Sequence, residues 1–189
     1  MPREETSAGH PDRLSDFGPT QEILIGIHRG IYDFLQEDKD LLTNNANERS
    51  ISHKLAEHLQ SHFNNLKVDC EYNRHGDAVK RLRYSRDNGI SSNDLDGSPV
   101  FPDIVIHKRG IDQCNLGVIE IKKSNSNYDP DIDEQKLRSF TGQDYNYQLG
   151  VFLVADINNK NLKIERIFRS GKEITDEMSI MQRDFGRDE

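Results

Sequence analysis

The chain has 189 residues and a mass of 21.8 kDa, one domain's worth, with 33% hydrophobic and 31% charged residues and a mean hydropathy of −0.83. That composition leaves room for one modest core and excludes a large multidomain assembly. The formal net charge of −8 is spread unevenly, −2 over residues 1–18, −3 over 176–189 and −3 between them, so acidic ends do not veto a local basic surface once salt screens beyond about 8 Å.

No apolar run approaches the roughly 18 residues that span a bilayer, and the longest, 150–155 and 99–106, are strand-sized. The opening residues lack the apolar stretch of a secretory signal, and Cys70 and Cys114 are too few for a disulfide framework or a cysteine-rich zinc site. The expectation is a cytoplasmic protein with reduced thiols and no membrane contact.

Residues 1–18 mix Pro, Gly, Ser and charges without periodicity and read as a flexible N-terminal arm, either inert or partner-docking. From Thr20, with Pro19 as a start signal, Leu24, Ile27, Ile31 and Phe34 predict a helix, weakened by Gly26 and Gly30, each by up to about 1 kcal/mol. A second helix is predicted over 46–63 from Ile51, Leu55, Leu59 and Phe63. The alternation of Leu66, Val68, Cys70 and Tyr72 with polar residues predicts a half-buried strand over 66–73.

Residues 74–98 are rich in Gly, Ser, Asn and Asp and predict a long hairpin or loop excursion. Strands follow at 100–107 and 116–123, with a turn around Arg109, Gly110 and Asn115. A third helix is predicted over 131–141, with Asp131 as a candidate cap and Ile132, Leu137 and Phe140 apolar. The apolar run 149–155 predicts a strand covered on both faces, and 163–168 a final strand. This order places the chain in the α/β class, with a central mixed sheet flanked by helices over 19–175 and an acidic C-terminal tail over 176–189.

The chemistry concentrates on two consecutive strands. In Leu116-Gly-Val-Ile-Glu-Ile-Lys-Lys123, period two puts Glu120 and Lys122 on one face and Ile119 and Ile121 on the other. Asp103 stands at the entrance of the neighbouring strand, so pairing brings it within reach of Glu120. Two carboxylates held that close repel unless a proton or a cation intervenes, and a hard divalent ion meets that need. Lys122 beside such an ion either deprotonates a water or neutralises developing negative charge.

Pro102-Asp103 followed by Glu120-Ile121-Lys122 on an apolar strand resembles the PD-(D/E)XK nuclease superfamily, over roughly residues 46–156. The resemblance implies a restriction-endonuclease-like α-β-β-β-α-β core and hydrolysis of phosphodiester bonds dependent on Mg²⁺ or Mn²⁺. DNA is the usual substrate and RNA the alternative; restriction, repair and mobile-element defence are the usual settings. It further implies Asp103 and Glu120 as metal ligands and Lys122 at the attacking water. Glu48 matches the acidic residue that many members carry on their first core helix, although Asn45-Ala-Asn-Glu48 also resembles a capping box that would occupy Glu48 at the helix start. Gln143-Asp-Tyr-Asn-Tyr147 resembles the QxxxY element of exonuclease-type members, with Gly142 interrupting the preceding helix.

The excursion carries Lys80, Arg81, Arg83 and Arg86 with Tyr84 and no acid between them, a candidate DNA-gripping arm or a plain solvated hairpin. Lys123 is a further candidate for contact with the nucleic-acid backbone, and Lys136, on the third helix, faces either the site or DNA, with a solvated helix face as its plain alternative. Paired cuts on two strands would call for a homodimer, and the acidic ends are candidate docking segments for a partner protein. The competing function is a catalytically silent nucleic-acid-binding or regulatory subunit. His58 and His62, four apart, lack a third ligand in the pattern and read as surface histidines, and no nucleophile-elbow or phosphate-loop motif is present.

Overall fold

The computed structural model describes residues 18–75, 78–79, 81–82, 98–126 and 130–176. The N-terminal arm, nearly all of the acidic tail, and Lys80, Arg83, Tyr84 and Arg86 lie outside the described residues. Of the basic arm only the backbone of Arg81 is placed.

Helix α1 spans Pro19–Glu37 with proline in its first turn, where the missing N–H costs nothing, and buries Ile23, Leu24, Ile27, Ile31 and Phe34. After the short α2 (Asp40–Thr43), α3 runs Glu48–His62. Its cap is Asn47, whose Oδ1 accepts from the Ser50 N–H at 2.8 Å. The two glycines of α1 have a packing reason. A Cβ on Gly26 would stand 2.5 Å from the Phe63 ring, and one on Gly30 would stand 2.6 Å from Leu59 Cδ2, so both let α3 approach closely. His58 and His62 staple the same helix pair, through Asp38 at 2.7 Å and Asp33 at 2.6 Å.

Among the described residues ten strands follow in chain order with α4 among them: β1 (Lys67–Cys70), β2 (Arg74–His75), β3 (Ala78–Val79), β4 (Arg81–Leu82), β5 (Ser98–Pro99), β6 (Ile104–Lys108), β7 (Ile111–Lys123), α4 (Pro130–Thr141), β8 (Leu149–Asp156), β9 (Asn161–Arg169) and β10 (Lys172–Glu173). Six form one mixed sheet in the order β1-β6-β7-β8-β9-β10, antiparallel throughout except for the parallel β7–β8 pair. β2 pairs with β3, and β4 with β5, so Arg81 and Leu82 lie opposite Pro99 and Ser98 at the base of the excursion.

Alternation divides the sheet between two cores. Ile104, Ile106, Ile119, Ile121, Val151 and Leu153 pack with α1 and α3, whereas Val105, Val118, Phe152 and Phe168 pack with Leu137 and Phe140 of α4. The chain is thus an α/β protein with helices on both faces of a mixed sheet, as its composition and periodicity predict.

Four local expectations are corrected. The strand predicted over 66–73 ends at Cys70, because Glu71 takes a φ of 51° and leaves the ladder. Asn115 belongs to β7 rather than to a turn; the β6–β7 hairpin closes tightly through Arg109 and Gly110 (φ 75°), and Asn115 sits at a register shift, donating to the Tyr145 carbonyl at 2.8 Å. Pro130, not Asp131, opens α4. Ile132 is exposed, and Asp133 takes the buried position in the first turn of that helix.

Candidate functional site

The β6–β7 register pairs Ile104 with Ile119 and sets Asp103 beside the Glu120–Ile121 step. Asp103 Oδ2 accepts from the Ile121 N–H at 2.7 Å, an anchor that fixes its carboxylate at the start of β6. Glu120 is 1% exposed and lies on the α4 side of β7. Its Oε2 meets Lys136 Nζ at 3.3 Å, while Oε1 is buried with no hydrogen-bond partner among the described residues.

Burial, and then the nearby Asp103 carboxylate, push the Glu120 carboxyl well above its ordinary value, and burial likewise raises Asp103. The geometry agrees: Lys136 meets one oxygen of Glu120 only, and the other stays without a counter-charge or donor among the described residues. Hard oxygen donors in that state fit a cation such as Mg²⁺ or Mn²⁺, with Asp103 and Glu120 the residues that would hold it. Among the described residues no group of three or more His, Cys, Asp or Glu side chains is arranged as a ready metal cage. Water and substrate oxygens would complete the coordination, as is usual for magnesium.

Lys122 shares the Glu120 face, as alternation predicts, and its ammonium stands 3.6 Å from Glu48 Oε2 and 3.5 Å from Asp133 Oδ2. Burial alone would lower its pKa, but Asp133, Asp103, Glu48 and Glu120 outweigh burial and raise it. In the cation-free protein these carboxylates favour the ammonium form of Lys122, which suits it to balancing negative charge.

Glu48 does not serve its helix as a cap, since Asn47 does. Its carboxylate reaches the end of β7, where Oε1 accepts from the Lys123 N–H at 3.0 Å and Oε2 faces Lys122.

The two lysines named as candidates for nucleic-acid contact both bond within the chain, Lys136 taking the site-facing one of its two expected orientations. Lys123 Nζ donates to Asn45 Oδ1 at 2.9 Å and to the Ala46 carbonyl at 3.2 Å, tying the α2–α3 loop to the sheet. Lys136 faces inward, bonding Asp133 at 2.8 Å as well as Glu120, because it shares the buried stripe of α4. Asp133, which sequence reasoning missed, faces the site too. Its signal is a spacing: Asp133, Lys136, Leu137 and Phe140 recur at i, i+3, i+4 and i+7, one helix face with two charges on it.

Gln143 is exposed, whereas Tyr147 is buried against Phe140 with ring centroids 6.0 Å apart, so Tyr147 packs the second core.

The site is therefore an alternating chain of charge, Glu48–Lys122–Asp133–Lys136–Glu120, drawn from α3, β7 and α4, with Asp103 beside its last member. The chain matches no family model and no curated protein. No helix among the described residues is long and apolar enough to cross a membrane.

Proposed function

We propose that this protein is a nuclease dependent on Mg²⁺ or Mn²⁺, a DNA endonuclease of PD-(D/E)XK type whose restriction-endonuclease-like core is α3, β1, β6, β7, α4 and β8. The observation that carries this reading is Glu120, a fully buried carboxylate with one oxygen unpartnered, beside Asp103 and on the same face of β7 as Lys122. A scaffold has no physical need to bury such a group, and an unsatisfied buried acceptor costs about 1–3 kcal/mol. Sites that store such a cost are commonly functional.

Asp103 and Glu120 hold the cation, which when bound polarises a phosphoryl oxygen and makes water a better nucleophile near neutral pH. Asp103 is fixed for that role by the Ile121 N–H. Lys122, steadied by Glu48 and Asp133, neutralises the negative charge that grows on the phosphate as water adds to phosphorus, the bond to the leaving sugar oxygen breaks, and the proton that the water loses is made good on that oxygen through solvent.

A second reading, a nucleic-acid-binding subunit without catalysis, draws on Lys136, whose ammonium already sits against Glu120. One assay separates the two: supercoiled plasmid, linear single-stranded DNA and RNA are each incubated with the full chain in EDTA, Mg²⁺ or Mn²⁺. The nuclease reading expects nicking or linearisation of plasmid only with a divalent ion. Binding without cleavage under every condition would replace it with the second reading.

A further inference from the structure

The counter-charge for Glu120 comes from within the chain. Lys136 Nζ lies 3.3 Å from Glu120 Oε2 and 2.8 Å from Asp133 Oδ1, with both carboxylates almost fully buried. The two contacts differ in kind. That to Glu120 is the longer and uses one oxygen only, leaving Oε1 without a partner. That to Asp133 is a short hydrogen bond to a residue three positions back on the same helix, so the ammonium can leave Glu120 and stay anchored. Asp133 also keeps its other oxygen on Lys122, which holds it in place during such a move.

We infer that Lys136 is an internal competitor for the cation site: its ammonium balances Glu120 until a divalent ion enters, and the ion must displace it onto Asp133. This rests on the reading of Asp103 and Glu120 as cation ligands. An ammonium and a divalent ion at one carboxylate repel each other, so the two occupy Glu120 in alternation. Lys136 thereby sets the affinity of the site and favours ions of high charge density. Asp133 is the positioning residue that receives the displaced ammonium.

The test is calorimetric titration of the full chain with Mn²⁺, comparing wild type with Lys136→Met, which keeps length and removes charge, and with Lys136→Arg, which keeps charge. The expected result is a Kd about tenfold tighter or better in Lys136→Met, and one within about threefold of wild type in Lys136→Arg. Wild-type binding with an equal or weaker Lys136→Met would overturn the competitor role and leave the cation site standing. No Mn²⁺ binding by any of the three proteins would instead overturn the cation site itself, and the competitor role with it.

If Lys136→Met fails to fold, the wild type still decides. The Lys136 side-chain amine resonance should shift on addition of Mg²⁺ while that of the exposed Lys172 does not, and an unmoved Lys136 signal in protein that binds the ion would refute the displacement.

Discussion

Replacing Glu120 by glutamine should stabilise the cation-free protein. The wild-type carboxylate is buried, leaves Oε1 unpartnered and sits beside Asp103, so its charged form is disfavoured by burial first and by repulsion second. An amide has the same shape and no charge to desolvate, and Lys136 keeps its 2.8 Å bond to Asp133. The amide leaves the Oε1 position unpartnered as before, so the gain comes from the lost charge alone, and relief of about 1 kcal/mol moves the melting midpoint of a chain this size by about 2–4 °C.

The sign depends on pH. Because the folded-state pKa of Glu120 is raised above the ordinary value of 4.5, its stabilising contribution is complete below that value and is lost as pH rises through the folded value. Asp103, raised from 3.8, acts in the same direction. Glutamine does not titrate, so the advantage of Glu120→Gln should be small near pH 4 and widen towards pH 8. Thermal melts in EDTA across that range test this. Adding Mg²⁺ should then reverse the order, since the wild type alone gains about 2.7 kcal/mol at a hundred times its Kd. A variant no more stable than wild type at pH 8, or a difference independent of pH, would refute the reasoning.

Asp103→Ala removes the acceptor of the Ile121 N–H and should cost about 1–3 kcal/mol in chemical denaturation, together with all Mn²⁺ binding. Gly30→Ala should destabilise by about 1–3 kcal/mol despite the better helix propensity of alanine, because its Cβ meets Leu59; melting of the purified variant checks this. Lys123→Ala should lower stability by about 1 kcal/mol by removing the hydrogen bonds to Asn45 and Ala46, yet leave the salt dependence of DNA binding unchanged. Joint replacement of Lys80, Arg81, Arg83 and Arg86 by alanine should weaken DNA binding and reduce the slope of log K against log salt, by about 0.9 for each duplex phosphate that is no longer neutralised; an unchanged slope would return the excursion to a plain hairpin.

Much of this was legible in the sequence where one physical period dominates. The stripe from Leu24 to Phe34, the continuous run of β8 and the alternation around Glu120 each report burial on a known face, and the two cores follow from them. Asp103 and Glu120 were readable because consecutive strands pair locally, although the register that sets them side by side comes from the irregularities between Ile106 and Lys108 and not from the turn itself. Asp133 was not, and Lys136 was open between the site, DNA and solvent, because charged residues on a helix are ordinarily solvated and only the packing of α4 on β7 turns these two inward. Lys123 has a partner that the sequence did not show. Its neighbour Lys122 faces the site, but one step along a strand reverses direction, and the Lys123 ammonium finds the α2–α3 loop instead. Glu48 was ambiguous from sequence because a capping box and a site residue share one pattern, and the distinction rests on Asn47 supplying the cap.

The most direct test of the central claim is single-turnover cleavage of a labelled duplex in Mg²⁺ by wild type, Glu120→Gln and Lys122→Ala, with each variant shown to be folded and to bind the duplex. The account predicts cleavage by wild type, none by Glu120→Gln, and a rate lowered by about a hundredfold or more in Lys122→Ala, the usual scale for removing one group that stabilises transition-state charge. Wild-type rates in both variants would contradict it, because the carboxylate and the ammonium that define the site would then have no part in the reaction.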